Sequence, residues 1–288
     1  MSVHLLYRRL PPRTVPANGR WILLQENEAF VVVNDGRARL PATEDFDTDA
    51  VNAPIHQIAI VGEGASPAES TAGSPVLVST VEAVPSAREG IALERIGYRK
   101  LFGIIDDEIL ALVGRATQIS DWELRSRYCG RCGTLTQPGE TESVRTCPSC
   151  GDTHYPRLTP AMIVGVVREG RLLLASAPRF RGAFYSILAG YVEPGESLEQ
   201  CIHREVWEET KIRVKNIRYF GSQAWPFPHS LMIGFTADYE SGEISVDKQE
   251  LLDASWFAPG EMPPVPAEIS ISGRIIRWFR ETCGDRPR

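Results

Sequence analysis

Three glutamates at helical spacing are the residues of this sequence best suited to chemistry. Glu205, Glu208 and Glu209 lie at i, i+3 and i+4 in a segment whose pattern predicts a helix over 198–210, so their carboxylates project from one face. Like charges stacked in this way repel each other unless a cation lies between them. Carboxylate oxygens are the ligands that hard divalent ions such as Mg²⁺ or Mn²⁺ prefer. The pattern therefore predicts a divalent-metal site.

A loop bounded by glycines precedes the predicted helix. Gly190 and Gly195 bracket this loop, and Pro194 fixes one of its turn dihedrals. The helix can then begin with Glu196 near its N-terminus, where its positive dipole end faces the site. We expect Arg204 to hold the Glu196 carboxylate.

The acids also need a sheet to support the helix. Residues 161–167 and 171–176 are apolar runs joined by a short turn, which predicts two adjacent strands. We expect Ile202, Val206 and Trp207 to pack the helix against a sheet. The opposite helix face, which carries the acids, would then line a cleft.

Two pairs of cysteines indicate a second metal site of a different kind. Cys129 and Cys132 form one C-x-x-C knuckle, and Cys147 and Cys150 form another, with fourteen residues between the two. This spacing is typical of one structural Zn²⁺ held by four thiolates with no open position. A redox pair is the competing interpretation, but such proteins usually carry a single C-x-x-C beside a βαβ unit.

The first hundred residues carry strand and turn signals but no catalytic motif. Strands are predicted over 21–24, 29–33, 55–61 and 75–84. An Asn-Asp-Gly sequence at 34–36 predicts a hairpin, the small polar residues 62–75 predict a flexible linker, and apolar periodicity over 106–122 predicts a helix. We interpret this region as a scaffold or dimerisation domain.

Composition places the chain among ordinary globular proteins. Its 288 residues, 43% hydrophobic and 24% charged, are enough for two domains. A net charge of −6 argues against a protein that coats nucleic acid or binds DNA, although an RNA end can still enter a metal-lined pocket. No run approaches the ~20 apolar residues of a membrane span, and the N-terminus has no apolar leader segment, so we expect a cytoplasmic protein that is not bound to membranes.

The segment 190–212 resembles the signature of the Nudix hydrolases, G-x5-E-x7-R-E-U-x-E-E-x-G-U, in which U is apolar. The matching positions are Gly190, Glu196, Arg204, Glu205, Val206, Glu208, Glu209 and Ile212. One position departs, because Lys211 stands where the signature has glycine. That glycine usually serves the helix C-terminus, so we expect local strain and retained chemistry.

Residues 222–232, SQAWPFPHSLM, resemble the S-Q-P-W-P-F-P-x-S motif of the NADH pyrophosphatase branch of that superfamily, with Ala224 in place of its first proline. Taken alone, the segment is better interpreted as a buried turn with aromatic plugs. Pro226 and Pro228 stiffen the loop, and Trp225 and Phe227 offer flat apolar surfaces. Beyond a Nudix signature and a four-cysteine ribbon, the resemblance makes it the substrate loop.

The resemblance also implies metal ligands and catalytic residues. Two or three Mg²⁺ or Mn²⁺ ions would be held by the carboxylates of Glu205, Glu209 and Glu250 and by the main-chain carbonyl of Ala189. The implied catalytic set is Glu196, Arg204, Glu205, Glu208, Glu209 and Glu250. For Glu250 the residues alone favour a solvated acid, so its role depends on the resemblance.

Substrate contacts are implied in the same way. They are Tyr155, Tyr191, Gln223, Ala224, Trp225, Pro226, Phe227, Pro228, His229, Ser230 and Ser272. Tyr191 replaces what is often phenylalanine and keeps an aromatic face for a nicotinamide or adenine ring.

The resemblance implies metal-dependent hydrolysis of the diphosphate of NADH or NAD to nicotinamide mononucleotide and AMP. NAD-capped RNA presents the same diphosphate, so we also expect removal of the cap to leave 5′-monophosphate RNA. Two alternatives stay open: a related enzyme that acts on ADP-ribose or another nucleoside diphosphate derivative, or an inactive binding or regulatory protein.

The expected architecture is α+β. We predict an N-terminal α/β domain over 1–125, a zinc ribbon over 126–156, and a Nudix α/β/α sandwich with a mixed sheet over 157–288. The resemblance also implies a homodimer.

Overall fold

The computed structural model describes residues 19–26, 28–48, 51, 76–139, 143–178 and 184–284, and the main chain of residues 4–9 and 56–61. The chain divides into two compact units, 1–157 and 158–288. The predicted linker at 62–75 lies outside the described residues. No helix among the described residues is long and apolar enough to cross a membrane.

The first unit is built on a seven-stranded sheet. Its strands are β1 (His4–Arg9), β2 (Arg20–Gln25), β3 (Glu28–Asn34), β4 (Arg37–Arg39), β5 (His56–Val61), β6 (Val76–Thr80) and β7 (Leu93–Gly97), and its helices are α1 (Tyr98–Leu101) and α2 (Asp107–Arg125). The strand order is β1-β5-β6-β2-β3-β4, with β7 also paired to β3. The predicted strands and the helix are confirmed, although the predicted strand at 75–84 ends at Thr80.

Local sequence explains two boundaries in this unit. Asn34 pairs with Arg37 across a two-residue turn, which confirms the predicted hairpin between β3 and β4. The Asp106 side chain accepts a hydrogen bond from the Glu108 amide at 2.9 Å and caps the start of α2. Trp21 and Phe46 meet edge to face in the core at 5.5 Å between ring centroids.

A small three-stranded sheet follows α2 and carries the cysteine knuckles. Its strands are β8 (Gln137–Pro138), β9 (Arg145–Thr146) and β10 (Thr153–His154), in the order β10-β9-β8. In each knuckle the residue after the second cysteine is a glycine with positive φ, Gly133 at 76° and Gly151 at 74°. Their amides donate to the carbonyls of Cys129 and Cys147, so each knuckle closes as a tight turn.

The second unit is built on a six-stranded mixed sheet. Its strands are β11 (Thr159–Arg168), β12 (Arg171–Ser176), β13 (Leu188–Tyr191), β14 (Arg213–Trp225), β15 (Ser230–Ser241) and β16 (Asp253–Phe257), and its helices are α3 (Leu198–Thr210) and α4 (Ile271–Gly284). The order is β14-β15-β11-β12-β16, and β13 pairs with β11. Strands β11 and β15 run parallel, whereas the other pairings described in this sheet are antiparallel.

Each face of this sheet buries one helix. Ile202 and Val206 of α3 are 0% exposed in a core with Met162 and Val164 of β11. On the other face, α4 supplies a core that includes Ile275, in contact with β-strand residues such as Ile163. The predicted α/β/α sandwich with a mixed sheet is therefore confirmed.

Helix α3 begins and ends at the predicted residues. Ser197 accepts a hydrogen bond from the Gln200 amide at 3.2 Å, while the Gln200 side chain accepts from the Ser197 amide at 2.7 Å, which completes a capping box. The prediction that Trp207 packs against the sheet is wrong, because its residue surface is 39% exposed. Trp207 lies on the outer side of α3, about 100° around the helix from the buried Val206.

The Lys211 position explains why the signature has glycine there. Lys211 is the C-terminal cap of α3 with φ 61° and ψ 18°, the left-handed conformation that glycine adopts most easily. Its amide donates to the Trp207 carbonyl, so the cap geometry is kept despite the side chain. The predicted strain is thus confirmed as backbone strain at the helix end.

We expect Lys211→Gly to raise the free energy of unfolding by about 0.5–1 kcal/mol relative to Lys211→Ala, because both variants lose the lysine side chain and only glycine relieves the left-handed backbone. Denaturant unfolding of both variants and the parent protein measures this difference. A glycine variant no more stable than the alanine variant would contradict the strain argument.

Candidate functional site

Three carboxylates converge in the second unit. Oxygen atoms of Glu205, Glu209 and Glu250 lie within 4.8 Å of one another. Glu209 is buried, at 6% exposed, and Glu205 is partly buried. Glu208 does not belong to this group, since its carboxylate turns to Arg204 at 3.2 Å and stays largely exposed. The structure therefore brings together two of the three helical glutamates and adds Glu250 from another part of the chain.

Arg204 holds the acidic side of α3 in place. Its Nε and Nη2 donate to Glu196 at 2.7 and 2.9 Å, and Nη1 donates to Glu205 at 3.0 Å. Nη2 also donates to the Tyr191 carbonyl at 3.0 Å. The expected pairing of Arg204 with Glu196 is present. This pairing and the Glu193 amide lower the pKa of Glu196 to about 2, so Glu196 stays ionised and keeps Arg204 fixed.

Gly190 gives Glu205 the space it occupies. A Cβ atom added at Gly190 would lie 1.9 Å from Cδ of Glu205, far inside van der Waals contact. Gly190 lies on β13, which pairs with β11, and Ala189 precedes it opposite Ile163. The main chain of β13 thus lies directly against the carboxylate, and any side chain at 190 would push Glu205 away.

Glu250 reaches the cluster through residues 242–252, which we call the strap. Its amides at Ser245 and Asp247 donate to the Thr210 and Glu209 carbonyls at 3.0 and 3.2 Å. The strap thus binds the last turn of α3 and brings Glu250 back beside Glu209.

Two contacts fix the ends of the strap. At its start, Gly242 adopts φ 103°, and a Cβ there would lie 2.4 Å from the Lys211 carbonyl. At its end, the Leu252 amide donates to the Ser176 carbonyl at 2.8 Å. Sequence reasoning did not identify these positioning residues. A glycine directly after β15 was the available signal, but its partner is a carbonyl distant in sequence.

The electrostatics of the cluster fit a hard cation. Burial raises the pKa of Glu205; the charges of Glu208 and Glu250 raise it further, while Arg204 opposes the shift. Three oxygen donors gathered at one point, with Arg204 beside Glu205, form a donor set that suits a divalent ion such as Mg²⁺ or Mn²⁺. The arrangement can therefore hold metal next to a polyanionic substrate.

Residues 225–230, which we call the aromatic loop, connect β14 to β15. Trp225 and Phe227 lie with ring centroids 5.0 Å apart, and Pro226 between them is buried. Tyr191, 54% exposed, places its hydroxyl 3.3 Å from the Oγ of the buried Ser230. The loop thus adjoins the residue that follows Gly190, and aromatic faces lie near the main chain that carries the acidic cluster.

Several other candidate contacts already have protein partners. The side chain of Gln223 donates through Nε2 to the Ile269 carbonyl at 3.0 Å and accepts through Oε1 from the Ile271 amide at 2.7 Å. It therefore connects β14 to the start of α4. Ser272 is 5% exposed, with its Oγ 2.9 Å from Ser186 Oγ. His229 Nδ1 lies 2.9 Å from the Thr159 hydroxyl. These side chains hold the loop in place.

The remaining candidates are solvent-exposed. Ala224 and Pro228 are exposed at the two sides of the loop. Tyr155 belongs to the first unit and is 58% exposed.

The four ribbon cysteines form a second candidate metal site. The Sγ atoms of Cys129 and Cys150 lie 3.7 Å apart, and Cys132 Sγ lies 3.4 Å from Cys147 and 3.6 Å from Cys150. Four thiolates at about 2.3 Å from a tetrahedral zinc would be about 3.8 Å from each other. The cluster therefore fits one Zn²⁺ in a closed, structural site.

Gly190→Ala is expected to weaken binding of Mn²⁺ at least about tenfold, because the new methyl group displaces a proposed ligand. Titration of Mn²⁺ by calorimetry or electron paramagnetic resonance measures this. Gly260→Ala is the matched control, since a Cβ there meets nothing within 4 Å. Equal Mn²⁺ affinity in both variants would mean that Glu205 does not hold the ion.

Cys147→Ser is expected to lose one bound zinc per chain and to lower the thermal midpoint of the protein, because a structural site contributes folding free energy. Metal analysis and thermal unfolding measure the two effects. Cys283→Ser, at a cysteine outside the cluster, should keep the zinc. Full zinc content in Cys147→Ser would exclude the four-thiolate site.

Family models match three successive segments of the chain. They are the NADH pyrophosphatase-like rudimentary NUDIX domain over 18–122, the NADH pyrophosphatase zinc ribbon domain over 124–155 and the NUDIX domain over 157–279. A NUDIX hydrolase structure from Nitrosomonas europaea aligns at 24% identity over 56% of this chain and 94% of its own, with a TM-score of 0.47.

Named relatives extend over most of the chain. NAD-capped RNA hydrolase NudC of Pseudomonas aeruginosa is 47% identical over 207 residues, covering 72% of this chain and 73% of that protein. The protein of the same name from Stutzerimonas stutzeri is 45% identical over 215 residues, covering 75% and 77%. This identity and coverage, with three family models in succession, show that the chain belongs to the NUDIX family, in the branch with the NADH pyrophosphatase zinc ribbon.

Proposed function

We propose that this protein hydrolyses the diphosphate of NADH or NAD to nicotinamide mononucleotide and AMP, and that it removes the NAD cap from RNA to leave a 5′-monophosphate end. The observation that carries the proposal is the convergence of Glu205, Glu209 and Glu250 beside Gly190. The relatives named NAD-capped RNA hydrolase NudC support the choice of substrate.

The proposed metal ligands are the carboxylates of Glu205, Glu209 and Glu250 and the main-chain carbonyl of Ala189. Two or three Mg²⁺ or Mn²⁺ ions bound there would neutralise the diphosphate charge, acidify a water molecule and stabilise the leaving phosphate. The chain itself fixes the ligand positions, since Arg204 orients Glu205 and the strap holds Glu250 beside Glu209. Zn²⁺ in the ribbon serves folding only.

Glu196 and Glu208 have roles other than holding metal in this proposal. Glu196 keeps Arg204 in position and is a positioning residue rather than a ligand. Glu208 is exposed and bonded to Arg204, so it adds negative charge at the rim of the cluster.

In the reaction, the oxygen of a water molecule bonds to one phosphorus and the bridging phosphorus–oxygen bond breaks, while the two water protons end on the products or in solvent.

Aromatic faces select the dinucleotide in this proposal. Tyr191, Trp225 and Phe227 offer surfaces on which a nicotinamide or adenine ring stacks. Other groups of the second unit complete the proposed contacts. These are Gln223, Ala224, Pro226, Pro228, His229, Ser230 and Ser272, of which Gln223 and Ser272 act through the positions they hold. The role of Tyr155, in the first unit, stays a prediction from the family resemblance.

A second candidate substrate is ADP-ribose. Ala224 stands exposed where the related motif has proline, so one edge of the loop differs from the pattern that marks NADH pyrophosphatases. A panel of NADH, NAD⁺ and ADP-ribose at equal concentration separates the two. Preference for ADP-ribose would replace the proposed dinucleotide, and lack of turnover on every substrate would favour a binding or regulatory protein.

Association and location belong to the same proposal. We propose a homodimer, which light scattering of the purified protein tests directly. The cytoplasmic location stays a prediction.

Glu209→Gln is expected to lower kcat for NADH hydrolysis at least about 100-fold, because it removes one negative charge from the proposed metal site without changing side-chain size. Chromatographic detection of nicotinamide mononucleotide and AMP measures the loss. Glu199→Gln is the matched control, as it makes the same change at an exposed position of α3. Full activity in Glu209→Gln would remove this residue from the mechanism.

A further inference from the structure

A basic segment stands out on the surface of this acidic protein. Residues 211–222 hold four cations and no acid, whereas the whole chain has a net charge of −6. Arg213, Lys215 and Arg218 of this segment are exposed on β14. Strand β14 is the edge of its sheet, so these side chains have a neighbouring strand on one side only. Such a concentration of positive charge attracts polyanions locally.

Trp207 lies against two of these cations. Its ring is partly exposed, with the Arg213 guanidinium carbon 4.5 Å and Lys211 Nζ 5.6 Å from the ring. Within the part of the chain that the structure describes, neither cation forms an ion pair with a carboxylate. Lys211 Nζ also donates to the Glu208 carbonyl at 3.3 Å. The three side chains, which we call the Trp207 platform, combine an aromatic surface with two cations that are not in ion pairs.

The other cations of the segment are partly neutralised. Arg218 Nη2 lies 3.2 Å from an oxygen of Asp238, and Asn216 donates to the same carboxylate at 2.9 Å. Lys215 pairs in register with Asp238 on β15. The free positive charge is thus concentrated beside Trp207.

The platform is far from the aromatic loop along the same strand. Strand β14 begins at Arg213 and ends at Trp225. At about 3.3 Å per residue, these ends are roughly 40 Å apart. Trp207 lies about 160° around α3 from both Glu205 and Glu209, so a dinucleotide bound at the acidic cluster leaves the platform free for the body of a longer RNA.

We propose that the Trp207 platform binds the single-stranded body of a capped RNA, with a base stacked on Trp207 and phosphates beside Lys211 and Arg213. This rests on the proposed function, since the RNA end must lie in the site. Stacking on an aromatic ring flanked by cations is how proteins hold single strands without reading sequence. Lys211 contributes a charge that the glycine of the family signature lacks.

The test compares substrates of different length. Steady-state rates are measured on NADH, on an NAD-capped trinucleotide and on an NAD-capped single strand of about 20 nucleotides, longer than the ≈4–16 nucleotides of one single-strand site. Arg213→Glu and Trp207→Ala are each expected to lower kcat/KM on the long RNA about tenfold through KM. Hydrolysis of NADH and of the capped trinucleotide should stay within about twofold of the parent.

Arg280→Glu is the matched control. It makes the same charge change at an exposed position of α4 and should leave all three substrates unaffected. The salt dependence gives a second readout, because loss of phosphate contacts makes log kcat/KM fall less steeply with log salt for the long RNA. Equal losses on all three substrates, or none on the long RNA in both platform variants, would overturn the proposal.

Direct binding separates this proposal from the proposed function. Fluorescence anisotropy of a labelled single strand with a 5′-monophosphate needs no catalysis, and both platform variants should bind it about tenfold more weakly than the parent and Arg280→Glu. If the platform variants bind the strand more weakly but the parent protein does not hydrolyse NADH, the platform is supported and the proposed activity is wrong. Unchanged binding in both variants would sink the platform even if NADH is hydrolysed.

Discussion

Electrostatic repulsion among Glu205, Glu209 and Glu250 is the constraint around which the second unit is built. Three carboxylates within 4.8 Å of one another do not stay together on their own, and burial raises the cost of their charge. Arg204 offsets part of this repulsion on one side of Glu205, and Gly190 leaves room for the carboxylate on another. The remaining negative charge would give the proposed site its affinity for a divalent cation, so the electrostatic cost of bringing the carboxylates together and the proposed chemistry have the same origin.

The sheet register decides what lies next to this charge. Ala161 of β11 is the partner of Tyr191 on one side and of Met232 on the other, and two residues earlier Thr159 is the partner of Ser230. The strand that carries Gly190 and the strand that follows the aromatic loop are therefore both aligned on the first residues of β11. This alignment accounts for the 3.3 Å contact between the Tyr191 and Ser230 hydroxyls. A shift by one residue would turn these side chains to the other face of the sheet.

How far the sequence predicts this arrangement depends on the range of the interaction. Helix α3, the 34–36 hairpin and the ribbon knuckles follow from short-range signals, namely acids at helical spacing after a loop bounded by glycines, a turn sequence and a cysteine spacing. The expectation for Trp207 fails because apolar spacing on a helix does not measure how wide the buried face is. That face is made by Cys201, Ile202, Val206, Glu209 and Thr210. Glu250 reaches the cluster only through main-chain hydrogen bonds of the strap, which no local pattern encodes.

Lys211 links the end of α3 to the outer surface of the second unit. Its backbone occupies the left-handed cap where α3 must stop so that the Gly242 turn can approach its carbonyl and the strap can return to Glu209. Glycine meets this backbone requirement with less strain. A lysine meets it too, and its side chain then emerges beside Trp207 and Arg213. The same residue thus ends the helix that holds the acids and contributes charge to the outer surface. The left-handed backbone costs roughly 1–2 kcal/mol for a residue other than glycine. RNA binding by the Lys211 side chain would explain why a lysine stands at this position despite that cost.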